Sequence, residues 1–318
     1  MKKILSAVIS VIILGLSLCS CSGFEKNEKY TIVTTVFPEY DWVMNILGDR
    51  AEDYDVRLLT GNGVDLHSFQ PTAADLTLIS DCDMFIYIGG ESDRWVEDAL
   101  RSSRNEDQIA ISLLEVLGDR AYEEETVEGM EAEEEEEEGP AYDEHVWLSL
   151  RNAEVFCQEI SDRLCDAVPE DADAFRSNTE AYVGELSELD IMYQQAVDEA
   201  SKDTLIFADR FPFRYLVEDY GLEYYAAFPG CSAESEASFD TVIFLAEKAD
   251  ELDLGYILVI EGKGTDIAQS VINNTSSKDQ EVLVLDSLQS VTDEDISNGA
   301  SYISIMTEDL EVLKTALS

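Results

Sequence analysis

Histidine is nearly absent from this chain. Its 318 residues contain two, His67 and His145. Basic residues are scarce as well, 20 Lys and Arg against 69 Asp and Glu, for a formal net charge of −49. Nucleic acid is thereby excluded as a partner, because phosphate recognition draws on clustered Lys and Arg. An acid excess of this size suits a solvated surface or one that attracts cations. After the N-terminal segment no apolar run is long enough to span a bilayer. Disorder of the whole chain is excluded in turn, since 45% hydrophobic and 9% aromatic residues suffice to bury a core. The length suits about two domains.

Cysteine is sparse, six in all, and two of the six lie near the N-terminus. There Lys2 and Lys3 precede the apolar stretch Ile4 to Leu18, the pattern of a targeting segment. Leu18-Cys19-Ser20-Cys21 follows and is similar to a bacterial lipobox. Cleavage before Cys21 and lipid on its thiol are expected, with residues 1–20 removed and 21–29 left as a tether. Such an anchor would hold the body at the extracytoplasmic face of the cell membrane. An ordinary secretory signal is the alternative. Cys82, Cys157, Cys165 and Cys231 remain, and four cysteines allow three pairings. Cys157 and Cys165 are about 12 Å apart on one predicted helix, too far to bridge each other. Buried free thiols are expected.

From Tyr30 onward short β-branched runs alternate with amphipathic stretches, which predicts βα units and parallel strands. Strands are expected at Tyr30–Val36, Tyr54–Leu59, Met84–Ile88 and Ile109–Leu114. A second set is expected at Thr204–Ala208, Glu223–Phe228, Tyr256–Ile260 and Val282–Leu285. Between the sets, Asp171 to Ala200 carries apolar residues at intervals of three, four and seven, including Phe175, Tyr182, Leu186, Leu189 and Tyr193. That spacing predicts one long helix of roughly 45 Å. The fold class is therefore α/β, two lobes with mostly parallel sheets joined by one rigid helix. The lobes are placed at 30–168 and 202–318, the linking helix at 169–201 and an acidic loop at 119–141. Within that loop Glu fills 11 of the 16 positions from Glu123 to Glu138. Like charges at this density repel one another, so the run is expected to stay unfolded.

Each histidine sits in a turn-like stretch rich in acid. One stretch is Gly63-Val64-Asp65-Leu66-His67-Ser68-Phe69-Gln70-Pro71, the other Tyr142-Asp143-Glu144-His145-Val146-Trp147-Leu148. Imidazole is the commonest metal ligand. A lone histidine beside an aromatic ring is equally often a hydrogen-bonded structural residue.

Taken with Val33-Thr-Thr-Val-Phe-Pro-Glu-Tyr40, Asp83-Met-Phe-Ile-Tyr-Ile-Gly89, Glu234-Ser-Glu-Ala-Ser238 and Val282-Leu-Val-Leu-Asp286, these stretches run through almost all of the chain beyond the targeting segment. The chain resembles the metal-binding solute-binding lipoproteins of bacterial ABC importers, the zinc and manganese family. The resemblance implies two α/β lobes on a rigid helix, with metal held in the cleft. It implies His67 and His145 as ligands from the first lobe and Asp286 from the second. It also implies delivery of the ion to an ABC permease by a monomeric protein that is not an enzyme.

In such proteins a further ligand, His or Glu, falls at the place occupied here by Arg210. Guanidinium stays protonated and cannot bind a cation. Asp209 is therefore expected as a substitute, with a shift of register at Phe211-Pro-Phe213. Alternatively Arg210 pairs with Asp286 or Glu261, leaving Glu234 and Glu236 as candidate ligands. Two imidazoles with carboxylates suit Zn²⁺, and Mn²⁺ or Fe²⁺ as alternatives. A surface adhesin is compatible with the same site. A secreted metallohydrolase would need an open coordination position and a general base, and the chain has no H-E-x-x-H and no nucleophile elbow.

Overall fold

The computed structural model describes residues 29–131, 142–232, 236–262 and 264–318. The targeting segment, Cys21 and most of the tether lie outside the described residues, as does Glu234. Among the described residues no helix is long and apolar enough to cross a membrane.

The first lobe opens with β1 (Thr31–Thr34), α1 (Phe37–Leu47), β2 (Asp55–Leu58), α2 (Ala73–Asp81), β3 (Met84–Tyr87), α3 (Arg94–Arg101) and β4 (Ile109–Ser112). Two helices follow, α4 (Leu113–Leu117) and α5 (Leu150–Ala167). Then comes α6 (Ala172–Glu199), the long helix, of 28 residues. The second lobe holds β5 (Thr204–Phe211), α7 (Arg214–Tyr220), β6 (Glu223–Pro229), α8 (Phe239–Glu251), β7 (Tyr256–Ile260), α9 (Asp266–Asn274), β8 (Glu281–Leu285), α10 (Asp293–Ser297) and α11 (Tyr302–Ala316).

Among the described residues each lobe has one four-stranded sheet, ordered β2-β1-β3-β4 and β6-β5-β7-β8. Every strand pair is parallel. The order repeats although the sequence does not, because each sheet is built from the same right-handed βα steps. In each sheet the chain winds one way and then the other, so the connections part at the central strands. Ligands of open α/β sheets bind there, beyond the carboxyl ends of the strands.

The α6 helix buries Phe175, Tyr182, Leu186, Leu189 and Tyr193 along one stripe, the face its spacing predicted. It packs against α1 and α5 of the first lobe and against α11 at the end of the chain. The closing helix also reaches the first lobe directly. Tyr302 lies 5.4 Å from Trp42, ring to ring, and its hydroxyl donates to the Trp147 carbonyl at 2.5 Å. Tyr193 on α6 donates to the Met306 carbonyl at 2.6 Å. The largest apolar cluster therefore runs through both lobes without a break. Trp147, two residues after His145, donates from Nε1 to the Ser287 carbonyl of the second lobe at 2.9 Å. The walls of the cleft thus meet close to the second histidine.

Two expectations need correction. β5 runs on to Phe211 rather than ending at Ala208, with Arg210 and Phe211 paired to Phe228 and Pro229. Phe211 stacks on Tyr224 with ring centroids 3.7 Å apart, which holds the backbone extended. The register irregularity sits between Phe207 and Arg210, not at Phe211–Phe213. Bulges of this kind bend a strand where a side chain must be re-aimed.

The acidic loop is the other. Residues 132–141 lie outside the described residues, but Glu123 to Glu131 is placed and lies on the second lobe. Glu131 donates its N–H to the Ala227 carbonyl at 3.0 Å. Its carboxylate accepts from Ser238 N–H and the Thr241 hydroxyl at 2.6 and 2.8 Å, at the start of α8. Glu125 pairs with Arg214, and Met130 is buried. Charge repulsion along the run is offset here by a helix N-terminus, a guanidinium and one apolar side chain.

Candidate metal centre

His67 lies in a short 3-10 turn, Leu66–Ser68, set after β2. Asp65 forms the turn by accepting the His67 N–H at 3.0 Å. The His67 Nδ1 is 2.9 Å from Ser92 Oγ and 3.5 Å from Glu144 Oε2. His145 is wholly buried at the head of the turn Val146–Leu148. Asp143 Oδ1 holds both its backbone N–H and its Nδ1, each at 2.9 Å. A partner on Nδ1 selects the tautomer whose Nε2 lone pair is available to a metal. The two Nε2 atoms face each other at 3.1 Å. Two nitrogens on one tetrahedral zinc, each at about 2.05 Å, would lie about 3.3 Å apart.

Burial, helped by His145 and Arg210, pushes His67 down to about 3, so it is neutral near pH 7. Burial raises Glu144 above the ordinary carboxylate range. Its Oε1 accepts the Ser92 N–H at 2.8 Å. Glu144 fits only because Gly90 has no side chain, since a Cβ there would meet Oε1 at 2.5 Å.

Among the described residues, the third donor gathered with the histidines is Cys231, on the loop after β6. One ligand atom from each of His67, His145 and Cys231 lies within 4.8 Å of the others. A Cβ on the preceding Gly230 would come within 3.0 Å of the His145 ring, so the loop's approach also requires glycine. The sequence predicts a buried free thiol at Cys231, and the residue is instead half-buried. It is unbridged, like Cys82, Cys157 and Cys165. The turn-like Pro229-Gly230-Cys231-Ser232 directly after a strand was the available signal.

Among the described residues, the carboxylates of Asp209, Asp286, Glu261 and Glu236 are not gathered there. Asp209 turns back on its own sheet, accepting from the N–H groups of Arg210 at 2.8 Å and Ile260 at 3.3 Å. Asp286 accepts from Leu288 N–H at 2.8 Å. Glu261 is engaged by the Ser287 N–H and hydroxyl, both at 2.7 Å. Glu236 is exposed. Arg210 pairs with neither Asp286 nor Glu261. Its guanidinium crosses the cleft to Asp65 and also donates to the Ser232 carbonyl at 3.4 Å. Burial would raise the Asp65 carboxyl, yet Arg210 outweighs it and holds the group below its usual range. Beside this pair is a cavity of about 170 Å³, lined among others by Gly63, Glu261 and Gln289.

Asp286 carries a testable consequence. Burial, then the charge of Glu261, raises its carboxyl from 3.8 to about 7. A carboxyl raised on folding holds its proton more tightly in the folded chain. Its contribution is therefore complete below the unfolded value and is lost as pH rises through the folded one. Between about pH 5 and pH 7 this group is expected to cost the metal-free protein at most about 1.4 kcal/mol per pH unit. Asp286→Asn should flatten that part of the profile, read as urea midpoints. Parallel profiles for variant and parent would count against it.

The zinc-uptake complex component A family, ZnuA, described as periplasmic, matches residues 32–316. The zinc-binding lipoprotein AdcA of Streptococcus pneumoniae is 32% identical over 99% of this chain. The chain spans 61% of that relative's length. The high-affinity zinc uptake system protein ZnuA of Bacillus subtilis is 28% identical over 95% of this chain and 92% of its own. The Zn(II)-bound ZnuA-like domain of S. pneumoniae AdcA superimposes with a TM-score of 0.71 at 29% identity, covering 91% of this chain and 99% of that domain. With its paired histidines between two like-ordered parallel sheets, the chain belongs to the zinc-uptake component A family.

Proposed function

We propose that this protein captures a divalent transition metal between its lobes, zinc in the first place, and passes it to an ABC permease in the membrane. Lipid on Cys21 would keep it at the extracytoplasmic surface beside that permease. The observation that carries the reading is the histidine pair, two Nε2 atoms 3.1 Å apart with each Nδ1 held by a polar partner. Pre-set imidazoles bind without first being ordered, which favours tight capture. The resemblance to zinc-named relatives supports zinc over Mn²⁺ or Fe²⁺. Opening of the lobes would release the ion.

Equilibrium dialysis with elemental analysis tests it. The purified protein is expected to retain one zinc per chain against a large excess of manganese. Retention of manganese in preference to zinc would reverse the assignment of cargo. Retention of neither would remove the reading altogether.

A further inference from the structure

We propose that Cys231 Sγ is the ligand through which the second lobe holds the metal, giving a site of two imidazoles and one thiolate. This rests on the metal-capture reading and adds the coordinating atom that His67 and His145 alone do not supply. Both histidines belong to the first lobe, so a site made from them only would leave the second lobe uninvolved. Among the described residues, Cys231 is the second-lobe side chain that shares a sphere with them, all three donors lying mutually within 4.8 Å.

Three features of the loop support the assignment. Gly230 allows the chain to pass against the His145 ring, where a Cβ would sit 3.0 Å from Cε1. The Cys231 N–H is anchored to Glu124 Oε1 at 3.0 Å, so the docked part of the acidic loop holds this residue in place. Arg210, a cation near the site, is drawn to Asp65 and to the carbonyl of Ser232, the residue after Cys231. Meanwhile Asp209, Asp286 and Glu261 are committed to N–H and hydroxyl donors of their own lobe.

The chemistry follows from the donor set. Zinc takes nitrogen and sulfur ligands in a tetrahedron and leaves a fourth position for water or another oxygen. As the sulfur–metal bond forms, the S–H proton leaves to solvent. Thiolate is a soft ligand that favours zinc over manganese, whose preference is for carboxylate and water. Cys231 would therefore set selectivity as well as affinity.

Cobalt(II) is the probe, because thiolate ligation gives it an intense near-ultraviolet charge-transfer band. The parent protein is expected to bind one cobalt with that band. Cys231→Ala and Cys231→Ser should lose the band, bind zinc at least tenfold more weakly and change little toward manganese. Cys231→His should recover zinc affinity without the band. Cobalt bound by the parent without a thiolate band, or a band that survives Cys231→Ala, overturns the assignment and leaves metal capture standing. A parent that binds neither cobalt nor zinc overturns both.

Discussion

Replacing either His67 or His145 with Ala is expected to weaken zinc binding by well over tenfold, more than about 1.4 kcal/mol. The effect should exceed that of any other single change at the site. Each ring is already oriented, His67 by Ser92 and His145 by Asp143. Truncation therefore removes both a ligand and the ordering invested in it. The two losses should not add, because the second histidine alone cannot hold a tetrahedral ion. Competition titration against a chelator of known affinity measures them. A double variant that binds zinc as the parent does would place the site elsewhere. His145, wholly buried beside Trp147 with ring centroids 5.3 Å apart, also packs. Circular dichroism of the metal-free variants separates lost ligation from lost folding.

Asp65→Ala should have the next largest effect, and on two properties at once. Asp65 builds the His67 turn and neutralises Arg210 from the opposite lobe. Without it a guanidinium only 7% exposed keeps its charge beside the cation site. Two unit charges about 4 Å apart interact by about 4 kcal/mol at an effective dielectric near 20, so an unneutralised Arg210 would oppose the ion strongly. Breaking a fully buried pair costs about 3–5 kcal/mol. Because the Asp65 side chain is 21% exposed, about 2–3 kcal/mol of stability is expected after allowance for solvent. Asp65→Ala combined with Arg210→Met should recover much of that loss, since an apolar replacement leaves no buried charge unpaired. Urea unfolding of the metal-free proteins reads the stability, and zinc titration reads the repulsion. A double variant no better than Asp65→Ala in either measurement would show that Asp65 acts only through the His67 turn.

Much of the architecture was legible from local pattern. The βα alternation, the long helix and the placing of both histidines in tight acidic turns are properties of short stretches. Hydrophobic spacing reports them because each element must bury one face. The 28-residue helix differs from its expected bounds by one residue at each end. That all four described cysteines are unbridged also agrees with expectation. The described part of the Glu-rich stretch, Glu123 to Glu131, departs from expectation because composition reports self-repulsion and says nothing of what lies opposite. Glu131 meets the start of α8 and Glu125 meets Arg214, so these two charges find partners on the second lobe.

The amino-acid sequence by itself determined the class of fold and the family and pointed to the two imidazoles, each from neighbours a few residues apart. Only the tertiary structure decided which groups of the second lobe face them. Arg210 could be recognised as unfit to bind a cation, but its partner Asp65 lies 145 residues away. Asp209 is the nearest acid in sequence and is turned away, because two backbone N–H groups of its own sheet claim its carboxylate. Cys231 comes forward because Gly230 lets the loop pass the His145 ring. Donor type is written in the chain, but which donors converge depends on how two separately built sheets are held face to face by one continuous core.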